Sequence, residues 1–100
     1  MLSFDRITQF QWDEGNARKS SDKHGVSQAE AEQVFFNDPL LLLEDDKHSV
    51  AEARYHALGK TDAARRLHIT FTLRHNRTQI RVISARDMHR KERVHYDQET

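Results

Sequence analysis

Residues 82–96 read VISARDMHRKERVHY. An apolar run leads into Arg86, Arg90, Lys91 and Arg93, interleaved with His89, His95, Glu92 and Tyr96. Guanidinium groups grip phosphate oxygens as planar forks and stay charged at physiological pH. Imidazoles gain or lose a proton near neutrality. A glutamate becomes an efficient base once its surroundings raise its pKa. On a helix, Arg86, Arg90 and Arg93 fall three or four residues apart, as do Lys91 and His95, so each set shares a face. Further candidates lie upstream. Arg54 and His56 alternate along one extended segment and so point to the same side. Arg74 closes the next such segment and Arg86 the last. His48 and Glu52 lie in DDKHSVAEAR, residues 45–54.

Each of these residues also has a plainer reading. Arg90, Lys91 and Arg93 are equally the wet face of a terminal helix. Glu92 is readily a partner for a nearby arginine, fixing the helix rather than moving protons. His24 reads as a helix-end cation facing the dipole, and His48 as a solvated loop residue. Trp12 reads as core packing, and Tyr96 as a packing residue with its hydroxyl in water. The seven histidines raise the question of a metal. Zinc ligands converge at short fixed spacings, commonly with thiolates. There is no cysteine and no HExxH, and His89 and His95 lie on different helix faces. No metal and no cofactor are therefore expected. Phosphate-loop and dinucleotide-binding patterns are absent too.

The elements that would position these groups follow from local signals. FQWD, residues 10–13, is a short extended segment. Asp13 caps a helix with Glu14 in its first turn. That helix runs to about Lys23-His24 and stops at Gly25. Ser27 and Glu30 have the spacing of a capping box, and Ala31, Val34 and Phe35 then share one helical face. Asp38-Pro39 ends this second helix. Leu40 to Leu43 is a buried-strand candidate, followed by an acidic turn at Glu44-Asp45-Asp46. Ala53 to Leu58 is a strand ending at Gly59. Leu67, Ile69, Phe71 and Leu73 alternate with polar residues as in a half-buried strand. Residues 75–78 are a turn, Ile80 to Ala85 the next strand, and 87–97 a final helix capped by Asp87. The order predicts an α+β fold: two N-terminal helices, an antiparallel sheet of about four strands and one C-terminal helix, with the helices on one face.

The chain has 100 residues, which fits a single domain. Apolar residues make up 36% and charged residues 32%, which is not the composition of a disordered chain. The zero net charge conceals an asymmetry. Residues 1–50 hold 5 Lys/Arg against 10 Asp/Glu, and residues 51–100 hold 11 against 6. A basic side built from the second half suits a polyanion such as nucleic acid, or an acidic protein partner. The alternative is ordinary mixed surface charge. The lack of cysteine excludes disulfides and thiolate chemistry and favours a reducing cytoplasmic setting. No apolar run approaches the roughly 18–20 residues of a membrane helix. The first residues, MLSFDRITQFQWDE, carry no signal-peptide pattern.

Read in order, FQWDE (10–14), KHGVS (23–27), VFFNDP (34–39), DDKHSVAEARYHALG (45–59), FTLR (71–74) and ISARDMHRKERVHY (83–96) resemble the BrnT family. These are small toxins of type II toxin–antitoxin pairs. The match covers roughly residues 10–97, nearly the whole domain. The resemblance implies a RelE-like fold and a ribonuclease that needs no ribosome. It also implies a BrnA-like antitoxin with a ribbon-helix-helix DNA-binding domain, through which alone the complex reaches operator DNA. Three positions depart from the pattern. Asn16 and Ser20 lie in the first helix, and His89 stands where a serine would form a capping box with Glu92.

Cutting RNA without a metal uses the 2′-hydroxyl as nucleophile. It calls for a base, an acid for the leaving oxygen and cations on the phosphate. On that reading Arg54 and Arg86 are the phosphate clamps, and Glu52 and His48 the acid–base pair. Arg74, Arg90, Lys91 and Arg93 form a supporting RNA-binding rank. A catalytically inactive module that only holds an antitoxin is the competing reading.

Overall fold

The computed structural model describes residues 4–47 and 52–100. His48 therefore lies outside the described residues. The elements in chain order are β1 (Gln9–Gln11), α1 (Glu14–His24), α2 (Gln28–Phe36), β2 (Leu41–Asp45), β3 (Arg54–Lys60), β4 (Arg66–Arg74), β5 (Gln79–Asp87) and α3 (Arg90–Glu99). The fold is α+β, with five strands in the order β1-β5-β4-β3-β2. Strands β2 to β5 form an antiparallel meander, while β1 pairs parallel with β5. The sheet is thus mixed. Gln9–Gln11, overlapping the extended FQWD segment, add a fifth strand at its edge, and three residues are too few to show a period-2 pattern.

Local chemistry explains most boundaries. Gly25 adopts a φ of 64° just after α1, the left-handed turn that glycine takes most easily. Ser27 Oγ accepts from the Glu30 amide at 3.1 Å, and Glu30 Oε1 accepts from the Ser27 amide at 3.1 Å, completing the expected capping box. Strand β2 runs on through Glu44 and Asp45, so the acidic turn begins only at Asp46. Those two acids are tolerated in the strand because Glu44 is exposed and Asp45 is occupied by the site described below.

The two faces of the sheet differ. Tyr55, Ala57, Ile69, Phe71, Ile80, Val82 and Ala85 point to one face and pack with Val34 and Ala31 of α2. Phe71 stands at its centre, edge-on to Phe35 with centroids 5.1 Å apart and tilted against Tyr55 at 5.5 Å. Gly59 belongs to this face as well. A Cβ there would meet Val34 Cγ1 at 2.7 Å, so only glycine lets α2 approach β3 this closely. Helix α3 packs on the opposite face, where Met88 and Tyr96 close over Leu58 and Leu41. The helices therefore flank the sheet instead of sharing one face. The apolar Leu41–Leu58 cross-strand pair on the far side is what draws α3 there.

Two polar devices hold the first layer, one buried and one half-buried. Asn16 donates from Nδ2 to the Gln11 carbonyl at 3.1 Å and the Val82 carbonyl at 2.9 Å, and exchanges bonds with Asp13 at the start of α1. Arg65 binds both oxygens of Asp87, Glu30 Oε2 and the carbonyls of His24 and Gly25. It thereby ties the β3–β4 connection to both early helices and to the end of β5. Among the described residues, no helix is long and apolar enough to cross a membrane.

Candidate functional site on the open sheet face

Directly opposed residues in antiparallel strands share a face. The register Arg86↔His68↔Leu58, with His56 and Arg54 at alternate places along β3, puts all of them on the side away from α1 and α2. Thr70 and Ser84 join them as a facing pair. Beyond Ser84 the ladder slips, and Ile83 has no opposite number on β4. Helix α3 covers the Leu41–Leu58 end of this face and reaches His68 and Arg86 through Glu92. The rest of the face is polar, made of arginines, imidazoles and hydroxyls, with His68 and Thr70 buried within it.

Its centre is a stacked pair of histidines. The rings of His56 and His68 lie 4.8 Å apart, tilted by 34°. His56 Nε2 bonds Asp45 Oδ2 at 2.8 Å, and its Nδ1 bonds Thr70 Oγ1 at 3.1 Å. His68 Nδ1 is buried with no hydrogen-bond partner, and Nε2 faces Glu92 Oε2 at 3.8 Å. Burial, with the neighbouring Arg86 charge, lowers the His68 pKa to about 4, against the opposing pull of Glu92. His68 is therefore a neutral ring at neutral pH.

Arg86 and Glu92 form the second feature. Arg86 Nη1 and Nη2 donate to the two carboxylate oxygens at 2.8 and 3.0 Å, and Nη1 also reaches the Asp87 carbonyl at 3.1 Å. Glu92 Oε1 also accepts from the His89 amide at 2.8 Å. Burial alone would raise the Glu92 pKa. The Arg86 and His89 hydrogen bonds outweigh it and bring the value to about 2. Glu92 is thus a fixed anion that orients Arg86, as the ion-pair reading anticipated. His89, not Asp87, caps α3, and Glu92 keeps the reciprocal half of the capping box without a serine. Asp87 ends β5, paired with Arg65.

The remaining candidates are spread out. Arg54 and Arg86 share the face but do not adjoin. Two strand steps and a four-residue offset along β4 put their Cα atoms roughly 16 Å apart, on a diagonal that crosses His56, Thr70 and His68. Glu52 is exposed and binds Arg74 Nη2 at 2.8 Å, at the end of β4 away from Arg86. Arg90 and Lys91 are exposed on α3, and Arg93 returns a bond to the Met88 carbonyl at 3.2 Å. Tyr96 is buried, its hydroxyl donating to the Pro39 carbonyl rather than to water. Trp12 packs against the core and donates from Nε1 to Glu32 at 2.7 Å. Among the described residues, no three His, Asp or Glu side chains are grouped to hold a metal.

Sequence reasoning left Asp45, His68 and Thr70 out of the site and used His56 only as a neighbour of Arg54. One signal for them exists. His56 in RYHAL and His68 in RLHIT are polar residues at the middle of otherwise apolar strands. Their meeting depends on register, which no single strand reveals.

A small α+β domain with one face packed by α1 and α2 and the other presenting cations and imidazoles is an arrangement that suits a polyanion. The family comparison agrees. The model of the BrnT family, described as a ribonuclease toxin of a type II toxin–antitoxin system, matches residues 12–92. The chain belongs to that family. No curated protein matches the chain.

Proposed function

We propose that this chain is the toxin of its pair and cuts RNA as an endonuclease. It needs neither metal nor ribosome and uses the substrate's own 2′-hydroxyl as nucleophile. Arg54 and Arg86 bind the RNA backbone on the open face. Arg74, Arg90, Lys91 and Arg93 guide the strand towards them. A BrnA-like antitoxin with a ribbon-helix-helix domain neutralises the toxin in the cytoplasm and carries the complex to operator DNA.

The observation behind this reading is the Arg86–Glu92 fork beside the paired imidazoles. Glu92 occupies one edge of the guanidinium and fixes its plane. N–H groups on Nε and Nη2 remain for a phosphate oxygen. A preoriented cation loses little reorganisation energy when charge gathers on phosphorus. The spacing of Arg54 and Arg86 suits successive parts of one RNA strand, with the scissile phosphate lying over the histidines between them.

The test is direct. Purified, antitoxin-free protein is incubated with single-stranded RNA in EDTA, without ribosomes. Cleavage leaving 2′,3′-cyclic phosphate ends is expected. Intact RNA in the presence of folded protein overturns the reading.

A further inference from the structure

If this face cleaves RNA, some group on it must remove the 2′-hydroxyl proton. Glu92 is a poor choice. Both its oxygens are committed to Arg86 and the His89 amide. His68 is a poor choice as well, because its side chain is only 11% exposed and its bare Nδ1 is buried. Glu52 lies beside Arg74, away from the arginine fork.

His56 differs on each count. Its side chain is 25% exposed. It borders an open hollow of about 460 Å³, lined also by Leu43, Glu44, Asp45, Asp46 and Lys47. Asp45 stands diagonally across the β2–β3 ladder with a side chain only 12% exposed. An ionised carboxylate can only accept, so the hydrogen sits on His56 Nε2. Nδ1 then carries the lone pair, and the Thr70 hydroxyl donates to it. A carboxylate holding one ring nitrogen so that the other is free to accept is how an imidazole is set up as a base. The stacked His68 ring fixes the plane from behind.

We infer that His56 is the general base of the cleavage reaction and that Asp45 is its positioning residue. The inference rests on the nuclease reading above. In the step, the Thr70 hydroxyl rotates away and Nδ1 takes the proton of the attacking 2′-hydroxyl. The 2′-oxygen–phosphorus bond forms and the phosphorus–5′-oxygen bond breaks, giving a cyclic phosphate. The departing 5′-oxygen takes a proton from water, and the hydroxide left behind is neutralised by the proton that His56 then releases. Asp45 stabilises the transient imidazolium. Among the described residues, the charged and titratable groups around His56 are Glu44, Asp45, Asp46 and Lys47 from the β2 end, Arg54 of β3, His68 of β4 and Arg86 of β5. Glu92 and His89 complete the set at the start of α3.

The experiment measures pH–rate profiles on a short RNA for the wild-type protein and for His56→Ala, His56→Gln and Asp45→Asn, each checked for folding by circular dichroism. The wild-type rate should rise with pH as the base loses its proton. Both His56 variants should be slower by about a hundredfold or more, with that rise abolished. Added imidazole should partly restore His56→Ala. Asp45→Asn should lower kcat about tenfold with little change in KM, and should displace the rise along the pH axis. His56→Gln retains a polar side chain between Asp45 and Thr70, so loss in it speaks to the base and not to the fold. An active wild type whose His56 variants stay within about twofold, with the same pH profile, overturns the inference and leaves the nuclease reading standing. A wild type inert on RNA overturns both.

Discussion

The two faces of this sheet are made from the same strands by alternate residues, yet they obey different rules. On the covered face, Tyr55, Ile69 and Phe71 are enclosed by α2 and by aromatic neighbours. On the open face, His56, His68 and Thr70 occupy the places between them and meet carboxylates and hydroxyls instead. One face stores stability through apolar burial. The other buries polar groups such as His68 and Thr70, where an unpaired nitrogen like His68 Nδ1 costs stability. Groups held at that cost are candidates for function.

The contrast can be broken on the covered face first. Phe71→Ala should lose about 3–5 kcal/mol of unfolding free energy, the cost of emptying a large core site. Urea denaturation of the purified protein measures it. Asn16→Ala should lose about 2 kcal/mol, because it leaves the buried Val82 carbonyl without its side-chain donor. Gly59→Ala should cost about 1–3 kcal/mol, since Val34 must move. None of the three should change which residues touch RNA.

Open-face changes should act in the reverse sense. Arg86→Ala should slow RNA cleavage by more than about tenfold, or about 1.4 kcal/mol of barrier, while the protein still folds at 25 °C. An unchanged rate removes Arg86 from the mechanism. The last effect concerns acid. Folding lowers the His68 pKa from 6.5 to about 4, burial being the first cause. The unfolded chain therefore takes up a proton below pH 6.5 that the folded protein refuses until about pH 4. His68 supports the fold fully above pH 6.5 and progressively less as pH falls to 4. His68→Leu should flatten the decline of Tm across that window, as followed by thermal melts.

The sequence disclosed these two faces unequally. The Ser27–Glu30 capping box, the Gly25 stop and the alternation of Leu67 to Leu73 are local patterns, and each predicted its element. Strand β1 reads in the sequence only as a short extended segment, because its three residues pair with a partner seventy positions away. The side taken by α3 depended on the Leu41–Leu58 contact, itself a product of register. The site followed the same division. Arg54, Arg74 and Arg86 could be picked out by residue type. The Asp45–His56–Thr70 line spans three strands and exists only once the meander closes. A reciprocal bond to the His89 amide let Glu92 cap α3 without the serine that spacing rules ask for.

The measurement that bears most directly on the division is amide NMR mapping with a short single-stranded oligonucleotide lacking the 2′-hydroxyl, which binds without being cut. Shifts should concentrate at Arg54, His56, Thr70, Ser84 and Arg86, and spare α1 and α2. Shifts confined to the other side, around the hollow lined by Phe4, Phe10, Phe35 and the exposed Phe36, would contradict the assignment of RNA to the open face.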